Sequence, residues 1–469
     1  MRIEPLLLLA VLLPEIGEYG KGNNEQQAAY REFYLWTKHE IGKNPSCEEQ
    51  YHHVEENGQH NEFSFEYSQG ALFHCIITWT DEYKYLWEYL EERVMDALDT
   101  AIREAGAAAF VIFASSSDAN MRYLSGFVVG DPVVYIRRPG KRGLLIVPQM
   151  EFDRAESESV CDVMTRGDAG FFEILKEESD LWKAYAMMIA GQVKGDILVP
   201  AGFPLALARA LEPHLRAGVN GGVVESMRAV KTSRELAEIR RAQAAAEGAM
   251  DLALTMIRKA RPKGGILMQE GVPLTSEAVR RAIALHLLEQ GYRATGTIVS
   301  CGLESAMPHR LGRGELREGE PIIIDLFPQH EETGYYADMT RTVVHGEPDP
   351  AIVEMYLAVR DAQDLARSLA GPRISGRELH QAVVDLFTDR GYKTGTEGFI
   401  HSLGHGVGLD VHEKPALAPS GEALMPGHVV TLEPGLYYRE FGGVRLEDLG
   451  VITQQGFDLF TQYARELAP

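Results

Sequence analysis

An α/β domain followed by a larger α+β domain is the architecture this sequence predicts, and three observations predict it. From about residue 95, strand-like apolar runs alternate with helical stretches. Near residue 230 a long Ala-rich helix opens with its own start signal. Beyond it, a helix leading into paired strands occurs twice, about 100 residues apart.

The α/β stretch reads in order as a helix over 95–104, an apolar strand over 107–113, a strand over 143–147 closed by Pro148, and a strand over 195–200 followed by a helix over 205–215. Thr232 and Glu235 then have capping-box spacing, the hydroxyl at the N-cap and the carboxylate three positions on. They start an amphipathic helix that runs towards Lys259, and the domain boundary falls just before it, near residue 228. In the last part, a helix from Ser276 ends at Gly291-Tyr292-Arg293 and leads to strands over 321–326 and 335–344. A second helix, with Ser375 and Glu378 in capping-box spacing, ends at Gly391-Tyr392-Lys393 and leads to strands over 428–433 and 443–453. Two facing helix-plus-hairpin halves form a pseudo-twofold repeat with one cleft between them. Residues 1–94, rich in Glu, Gln, His, Asn and aromatics, carry no such grammar and are an unassigned extension.

Composition narrows the function classes. The chain of 469 residues is 45% hydrophobic, enough for a large core. Its net charge of -22, without a Lys/Arg-rich block, excludes a nucleic-acid backbone as partner. The apolar run over 6–13 is too short to span a bilayer and is flanked by Glu4 and Glu15 where an export signal needs positive charge, so no membrane association is expected. Cys47, Cys75, Cys161 and Cys301 are far apart, which fits a reducing cytoplasm better than a disulfide framework or a thiolate zinc site.

Five metal-type side chains carry the functional reading: Asp325, Asp338, His405, Glu433 and Glu447, each in or beside a strand-like run. Buried carboxylates require a cation or a hydrogen-bonding partner, and a dinuclear metal centre satisfies all five together. Asp325 and Asp338 are 13 positions apart around a loop with Pro328 and Gly334, so a hairpin turn brings them to neighbouring strands. Alternation over 443–447 puts Arg445 and Glu447 on one face, with Val444 and Leu446 on the other. A histidine cluster, His401, His405 and His412, lies among Gly404, Gly406 and Gly408, with His309 upstream. The glycines allow close backbone approach, but histidines stand where a phosphate loop needs bare amides.

These residues, in this order, resemble the pita-bread metallopeptidases, the superfamily of methionine aminopeptidase, aminopeptidase P and prolidase. Asn120-Met-Arg-Tyr-Leu-Ser-Gly-Phe127 is similar to the signature of the creatinase-like N-terminal domain of the Xaa-Pro branch, and Arg445 two before Glu447 is typical of its proline-specific enzymes. The resemblance implies a creatinase-like domain over 95–228 and a pita-bread catalytic domain over 229–469. It implies that Asp325 binds one metal, Asp338 and Glu447 bridge both, and His405 and Glu433 complete the second site. His309, His401 and His412 would line the substrate pocket, with His309 and His412 steadying the tetrahedral intermediate. Glu433 would move a proton from the attacking water to the leaving nitrogen, and Arg445 would hold a substrate carboxylate. Thr340 and Thr431, each two positions from a ligand, would support the ligands from behind.

The activity so implied is hydrolysis of the bond before proline, as an Xaa-Pro aminopeptidase or dipeptidase, by hydroxide from a water bridging two divalent ions. Mn, Co, Fe and Zn all suit the donor set, with Mn favoured. Small peptides with proline second would be the substrates, and a homodimer is the implied assembly. The Asp-to-Asp loop departs from the family's usual spacing by two extra residues. Competing readings are a metal-dependent non-peptidase cleaving C–N bonds in small molecules, and a catalytically inactive binding module. A serine or cysteine hydrolase lacks its G-x-S-x-G elbow.

Overall fold

The computed structural model describes residues 97–469, all within one compact unit. The extension over 1–94 lies outside the described residues. A helix over 97–104 leads into a six-stranded mixed sheet. Its spatial order is Asp162–Thr165, Leu144–Val147, Val133–Arg137, Ala109–Ala114, Ile197–Val199 and Ala217–Val219. The strands Ala109–Ala114, Val133–Arg137 and Leu144–Val147 pair antiparallel, and the outer pairs are parallel. Because strand side chains alternate, one face buries Phe110, Ile112, Tyr135 and Leu145 and the other Val111, Val134, Ile136 and Ile146. The sheet is therefore covered on both sides, as its continuous apolar runs require.

The expected helix over 205–215 is shorter, Leu205–Leu211, because Pro213 lies beyond it where the ring removes a backbone donor. Asp118 caps the short helix Ala119–Ser125 by accepting from the Met121 amide, and Gly126 closes it in the left-handed conformation (φ 67°). The motif read as a signature is thus a capped helix whose Asn120 points inward.

Thr232 starts the helix Ser233–Lys259 with both halves of the capping box formed. Its buried stripe of Ala242, Ala245, Ala246, Ala249 and Ala253 packs with Val279, Ile283 and Leu287 of the helix Ser276–Leu288. Small side chains let the two helices approach closely. The second half has its own core, in which Met355, Val359 and Ala362 of helix Pro350–Leu369 meet Leu379, Val383 and Phe387 of helix Gly376–Asp389. Ser375 and Glu378 complete a second capping box there.

The strands these helices cover form a three-stranded sheet (Ile298–Cys301, Pro321–Leu326, Met339–Val344) and a five-stranded one (Glu413–Leu417, Gly404–Gly406, Val429–Leu432, Asp448–Ile452, Phe457–Leu459). Two predicted strands are corrected. The run over 335–344 is strand only from Met339, since residues 335–338 finish the hairpin turn. The run over 443–453 is broken into Gly442–Arg445, paired with Gly435–Tyr438, and Asp448–Ile452. Glu447 lies in the break and bridges to Thr340, where the two sheets meet.

Candidate metal centre

That junction collects the predicted ligands. Asp325 is near the end of its strand, opposite Thr340 in the antiparallel register, and Asp338 immediately precedes the strand of Thr340. His405 is the middle residue of the short strand Gly404–Gly406, and Glu433 directly follows Val429–Leu432. Single ligand atoms of Asp338, His405 and Glu447 all lie within 4.8 Å of one another. Glu433 Oε1 is 3.3 Å from His405 Nε2, and Asp338 Oδ2 is 3.7 Å from it.

The donor set fits cations. Four carboxylates face one guanidinium, that of Arg445. Buried Oδ1 atoms of both Asp325 and Asp338 have no hydrogen-bond partner, an arrangement that proteins rarely leave uncompensated. His405 Nδ1 is 3.1 Å from the Gly406 carbonyl and donates to it, which aims Nε2 at the carboxylates. Acceptors facing this ring nitrogen need a proton or a cation between them. Asp338 is pushed well up from the ordinary carboxyl range by burial and by the charges of Glu447, Asp325 and Glu433. Burial and the charges of Glu433 and Asp325 do the same to Glu447. Burial works against the charge on Glu433 as well, yet the hydrogen bond and positive field of His405 bring it down to about 2.

Support for the ligands comes from behind. Thr340 Oγ1 donates to Glu447 Oε2 at 2.8 Å, and the Thr431 hydroxyl accepts the His405 amide at 3.1 Å. Arg445 is buried, and its fork is committed inward. Nη2 donates to Asp325 Oδ2 at 2.7 Å, Nη1 to the Tyr437 hydroxyl at 2.8 Å, and Nε to Thr340 Oγ1 at 3.2 Å. Its donors thus hold a candidate ligand and its neighbours. Tyr437, which sequence reasoning missed, passes this chain on by donating to His401 Nε2 at 2.9 Å, while His401 Nδ1 donates to the Ser402 carbonyl at 2.7 Å. Burial holds His401 below the usual histidine range, in keeping with a neutral ring. His412 is exposed, with its ring edge-on to His405 at 4.2 Å between centroids. His309 is exposed in the turn after the 3-10 segment Gly302–Ala306.

Comparison with known proteins places the chain in a family. Residues 95–230 match the creatinase/prolidase N-terminal domain, and residues 237–454 match metallopeptidase family M24. An Xaa-Pro dipeptidase of Pyrococcus horikoshii is 30% identical over 356 residues, which is 75% of this chain and 93% of the relative. One from Lactobacillus delbrueckii subsp. lactis is 35% identical over 249 residues, 52% of this chain and 63% of the relative. The prolidase structure from Pyrococcus horikoshii OT3 superimposes with a TM-score of 0.68 at 26% identity, covering 80% of this chain and 99% of that one. The X-Pro aminopeptidase structure from Thermotoga maritima gives 0.64 at 26% identity, with 79% and 99% covered. The fold is thus a creatinase-type N-terminal domain followed by a pita-bread catalytic domain, and the chain is a peptidase belonging to metallopeptidase family M24.

Proposed function

We propose that this metallo-exopeptidase uses two divalent ions to hydrolyse the peptide bond before proline in small peptides. The observation that carries the reading is the convergence of Asp338, His405 and Glu447 within 4.8 Å, beside carboxylate oxygens of Asp325 and Asp338 that lack any partner. The names of the relatives, dipeptidases and an aminopeptidase acting at Xaa-Pro bonds, support the substrate class. Asp325 would serve one ion, Asp338 and Glu447 both, and His405 with Glu433 the other. Bound there, the ions would polarise the scissile carbonyl and lower the pKa of water towards neutrality.

The remaining work falls to the side chains. Glu433, held ionised beside His405, accepts the proton of the attacking water and delivers it to the proline nitrogen. His412 and His309, both exposed, donate to the developing oxyanion and the substrate backbone. His401 lines the pocket from the Tyr437 side. Arg445, through its ion pair with Asp325, orients that ligand. Residues 95–228 act as the creatinase-like domain, and 229–469 as the catalytic one. A homodimer with Mn in a cytoplasmic setting completes the reading. Cys301, a free thiol among the described residues, suits a reducing compartment.

The test is hydrolysis of Ala-Pro, Met-Pro, Ala-Pro-Ala and a Met-Ala-Ser control by chelated protein, before and after adding Mn, Co or Zn. Metal-restored cleavage before proline, lost in Glu433→Ala, is the expected result. The dipeptide-to-tripeptide ratio then separates dipeptidase from aminopeptidase. A folded protein without turnover in any metal overturns the assignment and favours the non-peptidase or binding-module reading.

A further inference from the structure

Behind the exposed His412 lies a buried ion cluster that no ligand role explains. Arg228, in the last turn of helix Val223–Ala229, is 4% exposed. Its Nη2 donates to Asp410 Oδ2 at 2.8 Å and also to Glu413 Oε2. Its Nη1 donates to Asn120 Oδ1 at 2.8 Å, and Asn120 Nδ2 donates in turn to Glu225 Oε1 at 2.9 Å. Lys231 Nζ reaches the other oxygen of Glu413 at 2.6 Å. Two cations thus meet Glu413 in a dry setting, where a missing partner is far more costly than on the surface, while Asp410 is half-exposed at the edge of the cluster.

The acidic members flank His412 in sequence, Asp410 two before it and Glu413 one after. Gly408 has the same origin: a Cβ there would lie 2.4 Å from Glu413 Oε1, so the backbone is shaped around that carboxylate. Asp410 also accepts the Gly408 amide through its carbonyl at 3.1 Å, and the Gly408 carbonyl accepts the Tyr336 amide at 2.9 Å. The turn carrying His412 is therefore pinned from below at several points while the imidazole itself faces outward.

We propose that Arg228 is a positioning residue: by gripping Asp410 and Glu413 it fixes His412 against His405, and it ties that placement to the N-terminal domain, to which Arg228 and its partner Asn120 belong. The proposal rests on the assignment of His412 to the transition state given above. Nη2 serves both carboxylates and Nη1 the amide, a placement fixed by the rigid guanidinium plane that the flexible ammonium of a lysine does not reproduce.

The test is a double-mutant cycle in the full-length, Mn-loaded protein, using Arg228→Met, His412→Ala and their combination on Ala-Pro, with metal content measured in each. Loss of transition-state placement lowers kcat and kcat/KM together. The expected result is a 10- to 100-fold fall in kcat for Arg228→Met at unchanged metal content, with no further fall when His412 is already Ala. Arg228→Lys should recover only part of the loss. Backbone hydrogen exchange over 404–413 should speed up in Arg228→Met. If that variant does not fold, Asn120→Ala takes its place in the cycle, since it removes one bond from the same guanidinium. Independent, multiplicative losses, or an unchanged kcat in Arg228→Met while His412→Ala is impaired, overturn the positioning role. Full turnover in His412→Ala overturns instead the role given to that histidine, and with it the route by which Arg228 would act.

Discussion

Replacing Asp338 by Asn should stabilise the protein without metal and destabilise it with metal, and this reversal is the sharpest test of the site. Ligand oxygens of Asp338 and Glu447 lie within 4.8 Å of one another. At an effective dielectric constant of about 20, two ionised carboxylates at that separation repel by about 3 kcal/mol. That figure applies where the His405 ring, 3.7 Å from Asp338, is neutral, since its imidazolium would offset the repulsion. With an unfolding entropy of about 2.1 cal/mol/K per residue, a 469-residue chain shifts its Tm by roughly 1 °C per kcal/mol. In chelator, at a pH where His405 is neutral, the Asn variant should thus melt about 3 °C above the parent. Its advantage grows with pH, because a carboxyl whose folded pKa is raised stabilises below its unfolded pKa and loses that contribution as pH rises. With Mn at a thousandfold excess over its dissociation constant, the parent gains about 4.1 kcal/mol. The variant lacks an anionic ligand and should gain little, so the order of the two melting temperatures inverts. Differential scanning fluorimetry in chelator and in Mn reads both. A variant that melts at or below the parent in chelator refutes the reasoning, since the carboxylates would then not be straining against one another.

Three further outcomes follow from individual contacts. Tyr437→Phe removes both the acceptor for Arg445 and the donor to His401, bonds worth about 1.5–3 kcal/mol where a charge is involved. Its kcat/KM for Ala-Pro should fall about 10- to 100-fold at unchanged metal content, and an unchanged value would discard the Arg445–Tyr437–His401 chain. His428 is held down to about 4 by burial and by the positive charge of Lys231, while its Nδ1 accepts the Met425 amide. Its stabilisation is present above the unfolded pKa near 6.5 and lost as pH falls towards 4. Chelated parent should therefore lose about 2 kcal/mol more than His428→Gln between pH 7.5 and 5 in urea titrations, and equal losses would count against it. Ser375→Ala, which opens the capping box at the start of helix Gly376–Asp389, should cost about 1 kcal/mol and leave turnover untouched. A change in kcat there would mean that this helix communicates with the site.

Where local chemistry decides an element, the sequence was legible. Both capping boxes formed, because a hydroxyl and a carboxylate three residues apart satisfy amides within a single turn. The two strand errors arise where tertiary pairing overrides pattern. Residues 335–338 are apolar enough for a strand but are used up in the turn, where Gly334 with φ 81° and the His330–Tyr335 backbone bond set the geometry. The break between Arg445 and Asp448 lets Glu447 face Thr340 while the chain changes partners, from Gly435–Tyr438 on one side to Val429–Leu432 on the other. Alternation survived even so, with Val444 and Leu446 in the core and Arg445 and Glu447 facing the ligands. Helix Pro350–Leu369 went unread despite Asp349 at the N-cap and Pro350 behind it, a start signal as clear as those that were used.

In the site, the candidate ligands stand out because each is a metal-type residue in or beside an apolar run, and burial of a bare charge there has few explanations. Their supports could not, since nothing local marks them. Arg228 meets Asn120 across 108 positions and Glu413 across 185, and Arg445 meets Asp325 across 120. Such partners are ordinary polar residues until the fold closes. Gly408 shows how the two kinds of signal interact. In the sequence it reads as a place where backbone approaches a ligand, and close approach is what occurs, but to the Glu413 carboxylate from within the protein. A glycine pattern reports that something must come near, not what. The side chain that comes near here belongs to the clamp beneath His412, so a motif first weighed as a nucleotide loop marks the fold's own grip on its exposed histidine.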